Sequence, residues 1–367
     1  MEMNILILTG KFGMGHYSAS DSLRQQIQSS YPNATIITKD IFEYSVPVCS
    51  NAIYNGFTLL VNKGRGVYNY FYKITENGRT NTRPIFLSYF LYKLHELIHV
   101  TQPDIIISTL PFCSQVVSRY KNKHCSAIPL ITCITDISSH SEWINEYTNS
   151  YLVGSYSLKE ELILKGVPEK KIFVNGIPVK AEFKTNIPSK NSNEKKLLIM
   201  GGGLGLLPKD AYFYEALNRM PNLKTTVITG NNHQIFAMLH QKYENINVIG
   251  YTNEVYKYML EADVVVSKPG GITLFESIFS ETPLLVFTPL LQQEKNNTSF
   301  ILNKHIGKEI GSTADEWLYQ IEETIYDSYT LNELRTNVKR LKNELDETIF
   351  EKILFSLEPP KRGIFAS

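Results

Sequence analysis

Short runs of aliphatic and β-branched residues alternate along the chain with longer stretches whose apolar positions recur every three to four residues. In the first half the short runs fall at 4–9, 34–38, 104–108, 130–135, 151–153 and 171–174. Residues 181–195 (AEFKTNIPSKNSNEK) interrupt the rhythm with a polar, aperiodic stretch containing Pro188, which reads as a linker. The rhythm resumes at 196–200, 224–229, 247–249, 263–267 and 284–287. Runs this short and this apolar suit strands of a parallel sheet covered by helices on both faces. The pattern predicts an α/β chain of two facing, doubly wound, Rossmann-like domains with a cleft between them. Their expected bounds are 1–180 and 196–367, joined by the linker at 181–195, with the last helix packing back on the N-terminal domain. Ligands of such sheets bind at the carboxyl ends of the strands, so the loops there are where chemistry is sought.

Composition narrows the class. At 367 residues and 41.9 kDa the chain exceeds what one core usually organises, and 43% hydrophobic with 20% charged residues is an ordinary globular mixture. Lys+Arg 37 against Asp+Glu 36 argues against a general nucleic-acid coat, so an electrostatic partner must meet a local patch. No apolar run is long enough to span a membrane, and the opening MEMNILILT lacks the basic start of a signal peptide. Cys49, Cys113, Cys125 and Cys133 form no CxxC pair, so neither a zinc knuckle nor a disulfide framework is indicated. The expectation is a cytoplasmic enzyme.

The first run leads into Gly10-Lys11-Phe12-Gly13-Met14-Gly15-His16 and then a helical stretch from Tyr17. A helix start disfavours the imidazolium, so His16 there would be neutral and able to accept a proton; a tight turn with an incidental histidine fits the same residues. The second half repeats the glycine turn twice, as Gly201-Gly202-Gly203-Leu204-Gly205 before a helix opened by Pro208, and as Lys268-Pro269-Gly270-Gly271 before a helix at 272–280. One such turn is usually only a turn, but two on neighbouring strands point to a pyrophosphate held by backbone N–H groups. Glu276, one to two turns into that helix, could accept from both ribose hydroxyls of a nucleotide, or be a solvated helix-face glutamate. The loop 289–297, with Gln293 and Glu294, offers the donors and acceptors a sugar needs, though polar loops often look alike. Asp136 closes another strand, with His140 four residues on, and could be a base, orient one, or cap a turn.

Two features need weighing. His95-Glu96-Leu97-Ile98-His99 matches a zinc-protease signature, but Lys93 intrudes on its flank and no third ligand helix follows, so no metal is expected. Residues 53–94 hold ten aromatics and six basic side chains against one acid, Glu76. Such a mixture suits an anionic membrane interface, with Lys63, Arg65, Tyr70, Phe71 and Arg83 as contacts; aromatic core with a solvated face, or nucleic-acid stacking, are the alternatives.

Together, Gly13-x-Gly15-His16, the segment Ser267-Lys268-Pro269-Gly270-Gly271-Ile272-Thr273-x-x-Glu276 and the Gln293-Glu294 loop resemble family 28 glycosyltransferases of the GT-B fold. Within that family the similarity is greatest to monogalactosyldiacylglycerol synthases and bacterial processive diacylglycerol glucosyltransferases. Pro103-Asp104-Ile-Ile-Ile-Ser, Thr135-Asp136, Gly176-Ile177-Pro178-Val179 and Gly250-Tyr251-Thr252 extend it over most of the chain. The resemblance implies an inverting hexosyl transfer from a UDP-sugar to a lipid hydroxyl, diacylglycerol foremost. It implies no metal and no cofactor beyond the donor, with the enzyme peripheral on the inner face of the cell membrane. By position, Gly202, Gly203, Gly270 and Gly271 would face the diphosphate, Glu276 the ribose, Gln293 and Glu294 the sugar, and Tyr251 and Thr252 the uracil. His16 would be the base and Asp136 the second choice, since an Asp needs desolvation to reach a useful pKa. Gly13, Gly15 and His140 fall on the acceptor side. Leu291-Gln292 stands where the family has Pro-Gly, and Met14 interrupts the first glycine run, so sugar and acceptor are open. The remaining readings are a GlcNAc transferase of lipid II type, a transferase for another hydrophobic acceptor, and a non-catalytic UDP-sugar sensor.

Overall fold

In the computed structural model residues 3–77, 87–185, 187–188, 193–202, 205 and 207–357 are described. The chain forms two compact units, one of residues up to Pro178 together with those from Leu345 onward, the other Val179–Glu344. The first holds strands β1 (Asn4–Thr9), β2 (Thr35–Asp40), β3 (Ile105–Ser108), β4 (Leu130–Cys133), β5 (Ser150–Val153) and β6 (Ile172–Val174), all parallel, in the order β2-β1-β3-β4-β5-β6. The second holds β7 (Lys195–Met200), β8 (Leu223–Ile228), β9 (Ile246–Ile249), β10 (Val264–Ser267), β11 (Leu284–Val286) and β12 (Gly307–Glu309), also parallel, in the order β12-β11-β10-β7-β8-β9.

The near-continuous apolar runs have a direct cause. Leu6, Leu8 and Ile106 enter one core, while Ile5, Ile7, Ile105 and Ile107 enter the other, so successive side chains serve opposite covered faces. Both sheets anchor alike the strand pair at which chain order reverses, β1-β3 in the first and β7-β10 in the second. The Asp104 carboxylate accepts the Asn4 N–H at 2.8 Å, and the buried Asp263 accepts the Lys196 N–H at 2.7 Å while pairing with Arg335. Each Asp thus satisfies a main-chain donor at the start of the strand beside its own.

Chain order reverses between β1 and β3 in the first sheet and between β7 and β10 in the second. These reversals open the crevices in which doubly wound sheets bind ligands.

Three expectations are modified. The stretch 181–195 is not wholly a linker, because Ala181–Lys184 forms a 3-10 turn burying Phe183 and β7 begins at Lys195. Pro208 does not open its helix; Asp210 caps it, accepting from the Tyr212 N–H, and the helix is Ala211–Arg219. The first helix starts at Met14 rather than Tyr17. The C-terminal helix Ile349–Ser356 buries Phe350, Ile353 and Leu354 against Ile5, Ile7 and Leu23 of the first unit. Among the described residues no helix is long and apolar enough to cross a membrane.

Candidate active site

In the first unit the loops after β1, β3 and β4 gather the chemistry. Gly13, at φ 79°, turns the chain from β1 into the helix Met14–Ser30, a backbone state that glycine adopts without Cβ strain. Phe12 fixes the loop from below, its ring 5.0 Å from those of Phe42, Tyr54 and Phe57 in edge-on contacts. Gly15 and His16 occupy the second and third positions of the helix, whose first turn carries no acidic residue and no capping side chain. His16 Nδ1 lies 2.8 Å from Thr135 Oγ1, just beyond β4, and the Thr109 carbonyl, just beyond β3, takes a hydrogen bond from the ring. Burial drives the His16 pKa below the usual histidine value, and the charge of Asp136 together with the Thr109 hydrogen bond opposes it. The net result is a neutral imidazole at pH 7, held by three loops and next to a carboxylate. Sequence reasoning paired neither Thr135 nor Thr109 with His16: Thr135 entered only as the end of the run 130–135 and as part of the Thr135-Asp136 match, and Thr109 only follows the run 104–108.

His140 was expected on the acceptor side. It is buried, with both ring nitrogens engaged: Nδ1 accepts from the Glu142 N–H at 3.3 Å, and Nε2 lies 3.0 Å from the Tyr72 carbonyl. Of the expected membrane contacts, Lys63 and Tyr70 are exposed and Arg65 is half-buried. Arg83 and the side chain of Phe71 lie outside the described residues. The aromatics of that segment divide: Tyr54, Phe57, Tyr68, Tyr72 and Phe90 turn inward, while Tyr70, Tyr89 and Tyr92 are exposed. The H-E-x-x-H residues sit on the helix Leu87–Thr101, but His95 stacks on His124 and lies 3.3 Å from the Tyr120 hydroxyl, and Glu96 pairs with Lys93. Among the described residues no three His, Cys, Asp or Glu side chains gather as a metal site would require.

In the second unit the glycine turns follow β7 and β10, the strands that flank the reversal. Gly202 has φ 68°, and a Cβ there would meet Lys268 Cε at 3.0 Å, so the lysine stem of one turn lies on the backbone of the other. Gly203 lies outside the described residues. Gly270 caps the helix Gly271–Phe279 with no side chain on its first N–H groups, and Gly271 is its first residue. The Ser267 hydroxyl is buried with no protein hydrogen-bond partner, directly before the turn. A buried hydroxyl, open N–H groups and an ammonium in one crevice suit a diphosphate. Asn297, buried, donates to the Pro269 carbonyl at 2.9 Å and so holds the turn from the helix Gln292–Asn303. Asn297 ends the loop 289–297 that was expected to offer a sugar its donors and acceptors, and its amide braces the glycine turn.

Glu276 is half-buried; burial pushes its carboxyl up to about 7, and the Lys180 charge opposes the shift. Glu294 accepts from the Leu290 and Leu291 N–H groups at 3.1 and 3.2 Å through one oxygen, capping its own helix. Gln293 stands half-buried beside it in the first turn. Tyr251 and Thr252 follow β9; the exposed Tyr251 hydroxyl reaches Asn253, and Thr252 Oγ1 accepts from the Glu254 N–H at 3.0 Å.

Two family models match successive parts of the chain: monogalactosyldiacylglycerol (MGDG) synthase over residues 16–179 and the glycosyltransferase family 28 C-terminal domain over residues 198–351. The chain belongs to glycosyltransferase family 28. This family 28 glycosyltransferase is 28% identical over 356 residues to a processive diacylglycerol beta-glucosyltransferase of Staphylococcus carnosus (strain TM300), covering 92% of this chain and 88% of the relative. It is 27% identical over 370 residues to the protein of the same name from Bacillus subtilis (strain 168), covering 95% and 94%. Among solved structures it resembles MurG of Acinetobacter baumannii, with a TM-score of 0.64 at 12% identity, covering 96% of this chain and 99% of that one. It also resembles the spinosyn rhamnosyltransferase SpnG complexed with thymidine diphosphate, with a TM-score of 0.63 at 11% identity, covering 96% and 100%. The fold is GT-B, and the glycosyltransferase assignment rests on both of its Rossmann-like units.

Proposed function

We propose that this glycosyltransferase moves a hexose from a UDP-sugar to a hydroxyl of diacylglycerol, inverting the anomeric carbon and using no metal, at the surface of an anionic membrane. The observation that carries the reading is the pairing of two glycine turns on the adjacent strands β7 and β10, with the Lys268 stem laid across them. A diphosphate held there meets the N–H groups opening the helix Gly271–Phe279 and one ammonium, which supply the positive charge a metal would otherwise bring. His16 takes the proton of the acceptor hydroxyl as its oxygen bonds the anomeric carbon. The bond from that carbon to the β-phosphate oxygen breaks, and UDP leaves with the electron pair. One displacement by one base inverts the centre, and no second carboxylate nucleophile is needed. Glu276 would hold the ribose, and Gln293 with the remaining oxygen of Glu294 the hexose. Diacylglycerol is favoured by the names of the relatives.

The test is UDP release by purified protein with UDP-glucose, UDP-galactose or UDP-GlcNAc, with and without diacylglycerol in phosphatidylglycerol vesicles, each with and without EDTA. Release with one sugar that requires diacylglycerol is the expected result; release that ignores diacylglycerol, or vanishes with EDTA, overturns it. Gly202→Ala should weaken UDP binding about tenfold by calorimetry, because an L residue at that φ is strained and its Cβ displaces Lys268.

Membrane contact is proposed for the stripe of Val67, Tyr70 and Ile74 on the helix Arg65–Asn77, exposed by 52%, 65% and 51%, with exposed Lys63 and Lys73 beside it. Lys63→Gln and Lys73→Gln should each weaken co-sedimentation with phosphatidylglycerol vesicles about fivefold at low salt, with little effect on uncharged vesicles.

A further inference from the structure

We propose that His140 is a positioning residue that ties the helix Arg65–Asn77 to the loop setting the base, so that the outer face of that helix and the His16–Asp136 pair move as one body. This deepens the glycosyltransferase reading above and rests on it for the role of His16.

The loop after β4 carries Thr135, which meets His16, then Asp136, and then a row of ties to the helix. The Tyr72 hydroxyl lies 2.7 Å from Ser138 Oγ, and Ser141 Oγ donates to the Glu76 carbonyl at 2.6 Å. That carbonyl is in the last turn, where the helix supplies no N–H of its own. His140 sits between these two ties. Its Nδ1 accepts from the Glu142 N–H, which leaves the proton on Nε2; that atom donates to the Tyr72 carbonyl at 3.0 Å and lies 3.2 Å from Thr75 Oγ1. Its ring is 4.3 Å from that of Tyr72. Of the charged groups nearby, Glu142 is 3.6 Å away on its own loop, Glu76 and Asp136 act on the adjoining Tyr72, and Lys165 donates to the Ser139 carbonyl at 2.6 Å.

Two of these ties reach the main chain of the helix, at the Tyr72 and Glu76 carbonyls, and two reach its Tyr72 and Thr75 hydroxyls. Val67, Tyr70 and Ile74 lie at i, i+3 and i+7 on the face that stays exposed. Displacing that face loads the loop through His140, and the loop carries Thr135 and Asp136, two of the three groups that act on the imidazole.

Two substitutions separate the halves of the contact. His140→Asn keeps an acceptor for the Glu142 N–H but cannot reach the Tyr72 carbonyl, whereas His140→Gln keeps a donor at the Nε2 position. The readout is the titration of the His16 imidazole by NMR in the full-length protein, assigned with His16→Ala, beside kcat at saturating UDP-sugar. Asn should move the His16 titration to lower pH, because the nearby Asp136 charge raises that pKa and is displaced. It should also lower kcat by about ten- to a hundredfold with donor KM unchanged. Gln should restore most of both, and Ser141→Ala should shift the titration the same way by less. An unchanged His16 titration in folded His140→Asn and Ser141→Ala overturns the proposal, as does a Gln variant as impaired as the Asn one. Absence of diacylglycerol-dependent turnover in the wild type would instead overturn the acceptor reading, while the titration still decides the coupling.

Discussion

Replacing His16 by alanine should lower kcat by about 10²- to 10⁴-fold while leaving UDP-sugar binding unchanged, since the lost group accepts a proton only as the acceptor attacks. The proposal assigns donor binding to loops of the other unit, so calorimetry with UDP should not distinguish the variant from the wild type. The pH dependence sharpens the test. Burial holds the imidazole pKa below its ordinary value of 6.5, and the base works only when neutral. With donor saturating, kcat should therefore fall on the acid side only once the pH drops below the usual histidine range. Asp136→Asn removes the charge that opposes the shift, so it should move that limb further towards acid and lower kcat less than His16→Ala does. If Asp136→Asn proves as severe as the histidine variant, with no shift of the limb, the carboxylate is the base and His16 its support.

The strands were legible because they are buried on both faces. Residues 4–9 were bounded to the residue, and eleven of twelve strands were placed to within two residues at either end. The twelfth, β12, reads Gly-Lys-Glu; it is an edge strand with one paired side, so its sequence need not be apolar. The glycine turns were legible for a related reason: a chain that must reverse tightly at φ 79° or 68° selects glycine, and glycine stands out in a sequence. What braces the turns was not legible. Asn297 is 28 residues from the carbonyl it holds, and Thr135 is 119 from His16, so no local pattern joins them. His140 was singled out as a titratable residue near Asp136, but its fate was set by where Tyr72 and Thr75 lie, 68 and 65 residues away. The aromatic segment left membrane interface and aromatic core both open, because helix Arg65–Asn77 has aromatics on two faces and periodicity alone does not say which is covered.

The second large effect lies at Glu276 and concerns the donor rather than the acceptor. Its carboxyl titrates near 7 because burial disfavours the charge, yet two ribose hydroxyls need two accepting oxygens, which only the ionised form supplies fully. The sign follows directly. Above pH 7 the carboxylate prevails and binds; as the pH falls through 7 the neutral acid prevails, and donor KM should rise about tenfold between pH 8 and pH 6, one unit below that pKa. Glu276→Gln keeps one acceptor and no titration, so its donor KM should be higher at pH 8 but flat down to pH 6. Glu276→Ala should raise KM about a hundredfold, the size of losing charged hydrogen bonds to both hydroxyls. Because the proposal assigns kcat to His16 and donor KM to Glu276, the two limbs should separate on a single series of initial rates at varied donor. A donor KM independent of pH in the wild type would show that Glu276 is not the ribose ligand, whatever His16 does. A KM that follows the carboxyl, together with a 2′-deoxyribose donor that binds the wild type weakly and the glutamine variant no worse, would fix its partner as the ribose.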